Sequence, residues 1–344
     1  MKNIKKLISL FVVIVLAFSF AGCCSNTAST DATDAVIYES SYPVTVTDQA
    51  GREVTIEKEP ERIISGYYIS TSALIALGLE DKLVGIEAKA ASRSIYSLSA
   101  PRIIDLPNVG TAKAFDLEGA ISLTPDLVFL PLKLKDAAAS LEELGIDVLL
   151  VNPESHSQLK DMITFMGTAT NTTAKAKELI GMTEEISLSI TDKVKDSEKP
   201  TVYLAGNSSL LSTAGEKMYQ SDMITLAGGI NVASEIEDTY WVEISYEQLL
   251  SWNPDYIILA SDASYSIEDV LNDQNLSNLS AVKEGKVYQL PNKAEAWDSP
   301  VPGGILGSAW LMGILHPDKC TTDEINDRID LFYETFYGFT YSEN

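Results

Sequence analysis

Two glutamates in matching surroundings, and a set of cations and aromatics near strand ends, are the residues of this chain placed to do chemistry. Glu118 and Glu247 each open a short helical segment, each is followed seven residues later by Pro-Asp, and each Pro-Asp leads into a four-residue apolar strand, Leu127–Leu130 or Tyr256–Leu259. The copies lie 129 residues apart, about the size of one domain. That is too long for a solenoid period and implies two similar α/β lobes with a ligand cleft between them. A carboxylate in the first turn of a helix meets the positive end of the peptide dipole, worth ~0.3–1 kcal/mol. Asp116 and Ser245 stand at the N-cap positions, with Ser245 and Gln248 spaced as a capping box. Capping alone is therefore one reading of the pair.

Open α/β sheets bind ligands beyond the C-terminal ends of their strands. In the first lobe the loops there hold Gly66-Tyr67-Tyr68, then Lys89 and Arg93, then Lys133 and Lys135. In the second they hold Asn207-Ser208, Tyr240-Trp241, Ser264-Tyr265 and Trp297-Asp298-Ser299. The first lobe thus gathers Lys89, Arg93, Lys133 and Lys135 at one edge of an acidic chain. This points to an anionic ligand such as a ferric catecholate or carboxylate chelate, haem or an oxyanion, with solvated side chains as the plain alternative. Tyr67, Tyr68, Tyr240, Trp241 and Trp297 are candidates for an aromatic wall around a flat chelate, although such rings also serve as ordinary packing. A Tyr67 phenolate is also a conceivable haem-iron ligand.

Other chemistry finds less support. Histidine is the commonest ligand of transition ions, and the chain has two, His156 and His316; a bare metal site is not expected, and His316 in Leu-His-Pro reads as structural. No Ser-His-acid constellation, GxSxG elbow, Walker loop, HExxH or EF-hand loop occurs. Gly303-Gly-Ile-Leu-Gly follows no strand signal and reads as bland. A catalytic role is not expected, with a surface enzyme or a sensor using the same cleft as lesser alternatives.

The elements needed to position these residues are legible in the periodicity. Tyr42-Pro-Val-Thr-Val-Thr-Asp and Arg52-Glu-Val-Thr-Ile alternate around a Gln49-Ala50-Gly51 turn, a β-hairpin signal. Buried strands and amphipathic helices then alternate: strands at 62–65, 82–86, 127–130 and 148–151, helices at 70–77 and 136–144 closed by Gly78 and Gly145. Uninterrupted apolar strands in such an alternation indicate mostly parallel sheets covered on both faces. Residues 155–195 instead show apolar positions at helical spacing, one helix or two with a break at Asn171-Thr-Thr. A second series follows, with strands at 201–204, 257–260 and 287–290 and helices at 222–226 and 267–271. From Thr322 a helix carries Ile325, Ile329, Phe332, Phe336 and Tyr337 as a core-facing stripe.

The N-terminus addresses the chain. Lys2, Lys5 and Lys6 precede an uncharged run from Leu7 to Phe20, shorter than the ~20 residues of a spanning helix, so residues 1–22 read as a signal peptide. Ala21-Gly22-Cys23 resembles a bacterial lipobox, with Cys23 as the lipid acceptor in preference to Cys24. Residues 23–40, rich in Ser, Thr, Ala and Asp, read as a flexible tether. Loss of the three leader lysines takes the formal net charge from −24 to −27. Such a surface repels nucleic acid and anionic lipid. Cys320 alone remains beyond the lipobox pair, so no disulfide framework is available.

Taken together, several segments resemble the substrate-binding lipoproteins of ABC importers for iron–siderophore, haem, cobalamin and related metal complexes, a periplasmic-binding-protein family with a helical backbone. They are Val46-Thr-Asp-Gln-Ala-Gly-Arg-Glu-Val-Thr-Ile, Ala76-Leu-Gly-Leu-Glu-Asp-Lys-Leu-Val-Gly-Ile, Asn108-Val-Gly, the two Glu…Pro-Asp copies, Trp241-Val-Glu-Ile-Ser and Leu315-His-Pro. The resemblance implies an N-terminal α/β lobe over 41–154, an inter-lobe helix over 155–198 and a C-terminal α/β lobe with terminal helix over 199–344. It implies a monomer tethered through Cys23 to the outer face of the cell membrane. Such a protein would capture a metal complex, a ferric siderophore first and haem, a corrinoid such as cobalamin, or molybdate as alternatives, and deliver it to a permease dimer and its ATPase. Glu118 and Glu247 would each dock on one permease subunit.

Overall fold

The computed structural model describes residues 41–237 and 241–343. The signal, Cys23 and tether readings, and Tyr240, lie outside the described residues. No described helix is long and apolar enough to cross a membrane.

The hairpin forms as its alternation requires, Val44–Thr47 antiparallel to Glu53–Ile56. The first α/β series builds a four-stranded sheet in the order Leu83–Ile86, Ile63–Ser65, Leu127–Pro131, Asp147–Val151, every pair parallel. The second builds a six-stranded sheet around Thr201–Ala205. Tyr256–Leu259 and Val287–Gln289 lie parallel on one side, and the short strands Ser212–Thr213 and Val242–Glu243 are antiparallel on the other. Side chains alternate across a pleated strand, and the burial follows that period. Ile63, Leu127, Phe129, Val202, Leu204 and Ile258 face one continuous central core. Ile64, Val128 and Leu130 face an outer core in the first sheet, and Tyr203, Ile257 and Leu259 face another in the second. Both sheets are thus covered on both faces, as uninterrupted apolar strands demand.

The long helical stretch is two helices, His156–Ala169 and Thr173–Val194. Asn171 separates them in the left-handed region, φ 60°, where Asn is better tolerated than most residues. The first helix packs on the hairpin and the second on Gly304–Leu315, so the pair runs from one lobe's elements to the other's. Gly78 and Gly145, at φ +73° and +78°, end their helices as expected.

Two features depart from the sequence reading. The Gly303-Gly-Ile-Leu-Gly segment opens a twelve-residue helix, Gly304–Leu315, nearly all of it buried. A helix apolar all round leaves no 3.6-residue stripe to detect. The terminal helix Thr322–Tyr337 packs on Gly304–Leu315 and also on Tyr68–Ala76 of the first lobe.

Candidate functional site

The repeat is structural as well as sequential. Leu117–Ser122 and Tyr246–Trp252 are both short helices, N-capped by Asp116 accepting from the Gly119 N–H and by Ser245 accepting from the Gln248 N–H. The Ser245 bond is half of the box expected there; complete boxes form at Ser266/Asp269 and Thr321/Glu324. Each helix runs into a left-handed residue before proline, Thr124 at φ 46° and Asn253 at φ 42°. The aspartate that follows does the same work in both lobes. Asp126 accepts the Glu61 and Arg62 backbone N–H groups at 3.0 and 3.1 Å, ahead of strand Ile63–Ser65. Asp255 accepts the Thr201 N–H at 2.8 Å, at the start of Thr201–Ala205. Pro-Asp therefore anchors a neighbouring parallel strand in each lobe. Glu118 and Glu247 have no such internal task and are both exposed. The Glu247 carboxyl is held below its ordinary value by its own backbone N–H and the Ser245 hydroxyl.

A cleft of about 570 Å³ opens between the two sheets' loops. Tyr68, Ser72 and the segment Ser92–Tyr96 line it from the first lobe, and Asn207, Asp262 and the segment Asn292–Val301 contribute from the second. The helices Tyr68–Ala76 and Ser94–Ser99 begin at its edge, so their first turns present side chains to it. Cross-lobe hydrogen bonds close its base: Ile95 N–H to Ala294 O at 2.9 Å, Tyr68 hydroxyl to Ser299 Oγ at 3.2 Å, and Ser72 hydroxyl to Glu295 Oε2 at 2.8 Å.

Arg93 is the first-lobe cation in this lining. Its guanidinium lies 4.2 Å from the Tyr68 ring centroid, within cation–π range, and its Nε is 3.3 Å from Glu87 Oε1. Glu87 is itself buried and accepts from the Tyr96 and Thr71 hydroxyls, both at 2.6 Å. On the other wall, burial pushes the Glu295 carboxyl up to about 7 against the opposing bonds from Ser72, Tyr333 and the Gly303 N–H. Burial also raises Asp298, and it carries half-buried Glu154 to about 7 despite nearby Lys133.

Of the residues picked from sequence, Tyr68 and Arg93 meet in this cleft, with Asn207, Asp298 and Ser299 from the second lobe's loops. The other predicted cations do not join them. Lys89 turns out at φ 71°, four residues before Arg93, and is exposed. Lys133 and Lys135 lie exposed where strand Leu127–Pro131 passes into helix Lys135–Glu142. The aromatic wall also contracts. Tyr67 packs edge-on to Tyr68 at 5.1 Å and is not among the lining residues. Burial drives its phenol well above the ordinary value. Trp241 packs against Gly206, beside Asn207. Trp297 is a core residue, 1 % exposed; its indole N–H donates to the Tyr333 hydroxyl at 2.8 Å and the ring stacks on Tyr341 at 5.3 Å. Trp297→Ala is accordingly expected to cost about 3–5 kcal/mol of stability, read as a lower urea midpoint, rather than to act on ligand alone. His316 is buried against the Gly228 carbonyl, a packing role. No group of His, Cys, Asp and Glu suited to a metal ion occurs among the described residues.

Sequence reasoning missed Glu87, Glu295, Asp262 and Asn292. All four follow strand ends, where the loop rule points, Glu87 directly after Leu83–Ile86, but a search for cations and aromatics passed them over. Glu295 supplies a stability test. A carboxyl raised in the folded state binds more protons there than when unfolded, so stability falls as pH rises from about 4.5 to about 7. The Glu295 share of that loss is on the order of a few kcal/mol. Glu295→Gln should flatten the pH dependence of the urea midpoint in this window; an unchanged slope would show that Glu295 ionises normally.

Residues 63–294 match the protein family described as periplasmic binding protein. The chain is 28 % identical over 295 residues to the uncharacterized ABC transporter substrate-binding lipoprotein YvrC of Bacillus subtilis, covering 83 % of this chain and 90 % of that one. It is 24 % identical over 323 residues to the molybdate-binding protein MolA of Haemophilus influenzae, covering 86 % and 91 %. Among solved structures it is similar to a periplasmic solute-binding protein from Veillonella parvula, at TM-score 0.74 and 28 % identity over 86 % of this chain and 93 % of that one. Molybdate-bound MolA shares the fold at TM-score 0.76 and 22 % identity, over 86 % and 98 %. Two α/β lobes around a lined cleft, and a family match spanning both sheets, lead to one assignment: this chain belongs to the periplasmic binding protein family.

Proposed function

We propose that this protein is an extracytoplasmic receptor, tethered through a lipid on Cys23, that captures a metal complex and delivers it to an ABC importer. The complex we favour is a ferric siderophore, in which the chelator supplies the metal's inner shell and the protein binds only its periphery. The observation that carries the reading is Arg93, held over the Tyr68 ring at 4.2 Å in a cleft of about 570 Å³ that both lobes line. A guanidinium offers a planar fork suited to carboxylate or other chelator oxygens, and the surrounding serine and asparagine side chains add neutral polar contacts. The donor set is that of a carrier for a preformed complex, and no catalytic step is assigned. Relatives agree in kind: one at 25 % identity is an Fe(3+)-citrate-binding protein of Bacillus subtilis, another a cobalamin-binding protein of Halobacterium salinarum.

Trp241, packed on Gly206 beside the cleft residue Asn207, supplies a reporter. Tryptophan emission of the purified protein should change saturably with ferric siderophores. Silence toward siderophores, haem, cobalamin and molybdate alike would overturn the proposal.

A further inference from the structure

The two walls of the cleft carry different charge, and neither is a trap for a polyanion. On the first wall the charge of Arg93 is opposed at 3.3 Å by Glu87. That carboxylate is locked in place by two hydroxyl donors at 2.6 Å, from Thr71 and Tyr96. The pair is close to neutral as seen by a ligand. The second wall holds Asp262, Glu295 and Asp298 against one cation, Lys293. The Lys293 ammonium is directed elsewhere, donating to the Tyr341 carbonyl at 2.8 Å. Glu295 and Asp298 are buried and take internal donors from Ser72, Tyr333 and the Ser261 N–H. Asp262 differs: its carboxylate is exposed at the cleft, and its side-chain partner is the Asn292 amide, at 3.2 Å on Oδ1.

We infer that Glu87 and Asp262 set the specificity of this cleft, selecting a metal complex of low net charge that accepts hydrogen bonds from Arg93 and donates them to Asp262. The inference rests on the receptor reading and narrows its ligand. A chelate rimmed by carbonyl oxygens together with amide N–H or ammonium groups satisfies both walls. A complex that carries only acceptors and several negative charges meets Glu87 behind Arg93 and Asp262 across from it. Each unit charge facing the ligand at such range in a partly desolvated cleft is worth about tenfold or more in affinity. The expectation of an anionic ligand counted Arg93 together with Lys89, Lys133 and Lys135, and the three lysines lie outside this lining.

Calorimetric affinities of the mature chain for four probes test this. Two are amide-bearing and of low charge, cyanocobalamin and ferrioxamine B; two are acceptor-only anions, ferric citrate and molybdate. The wild type should bind at least one of the first pair at least tenfold more tightly than either of the second. Asp262→Asn, exposed and so of little consequence for folding, should narrow that preference about tenfold. Glu87→Gln, which can still bond to Thr71 and Tyr96, should narrow it similarly. An anion that outcompetes both amide-bearing probes, or a preference unchanged in both variants, overturns the inference and leaves the receptor reading standing. Wild-type silence toward all four, and toward haem as well, removes the receptor reading and this inference with it.

Discussion

The double charge reversal Glu118→Lys with Glu247→Lys is expected to abolish cellular uptake of the ligand while the purified protein binds it with unchanged affinity. Both side chains are exposed and neither belongs to the cleft lining. Their helices are capped by other residues, Asp116 and Ser245, so the reversal forfeits only the dipole contribution, ~0.3–1 kcal/mol at each site. The structural equivalence of the two copies, down to the left-handed residue before proline and the strand-anchoring aspartate, gives each lobe a matching carboxylate. A twofold permease would meet such a pair symmetrically, one subunit per lobe. Single reversals should leave partial uptake. Weakened binding by the purified double variant would reject the docking role, because it would place the pair in ligand capture instead.

Arg93→Ala is expected to weaken binding of the ferric complex about 10–100-fold. A hydrogen bond to a charged group is worth roughly 1.5–3 kcal/mol, and each 1.4 kcal/mol is about tenfold. The substitution also leaves Glu87 buried without its countercharge, which lowers stability, so Arg93→Lys is the necessary companion. Lysine keeps the charge but loses the planar fork, and its affinity should fall between the two. By contrast, Lys89→Gln, Lys133→Gln and Lys135→Gln combined should change affinity by less than about threefold, because none of the three lines the cleft. The comparison by calorimetry separates one placed cation from a diffuse cationic edge: equal losses from the lysine triple and from Arg93→Ala would restore the diffuse picture.

Signals set by near neighbours in the chain are legible in the sequence, and those set by distant residues are not. The β-α alternation, the break at Asn171 and the caps at Asp116 and Ser245 depend on neighbours within a few residues, and the structure forms them there. The helix Gly304–Leu315 gave no stripe because it is buried nearly all round. Trp297 sat in a loop of the right kind, yet its environment comes from Tyr333 and Tyr341 on the distant terminal segment. The charge pattern of the cleft was the least legible part. Glu295 meets Ser72 across 223 residues, and the neutralisation of Arg93 by Glu87 depends on side chains at Thr71 and Tyr96 converging on one carboxylate. Counting cations in loops could not show which one the fold turns inward, nor what stands behind it.

A cleft shared by the two lobes, on this proposal, holds a metal complex through Arg93. Native mass spectrometry of the mature protein mixed with ferric siderophores tests it most directly. A one-to-one adduct with the mass of the intact complex is expected, abundant for wild type and for the lysine triple variant and depleted for Arg93→Ala. An adduct that persists undiminished in Arg93→Ala, or no adduct with the wild type, would contradict it.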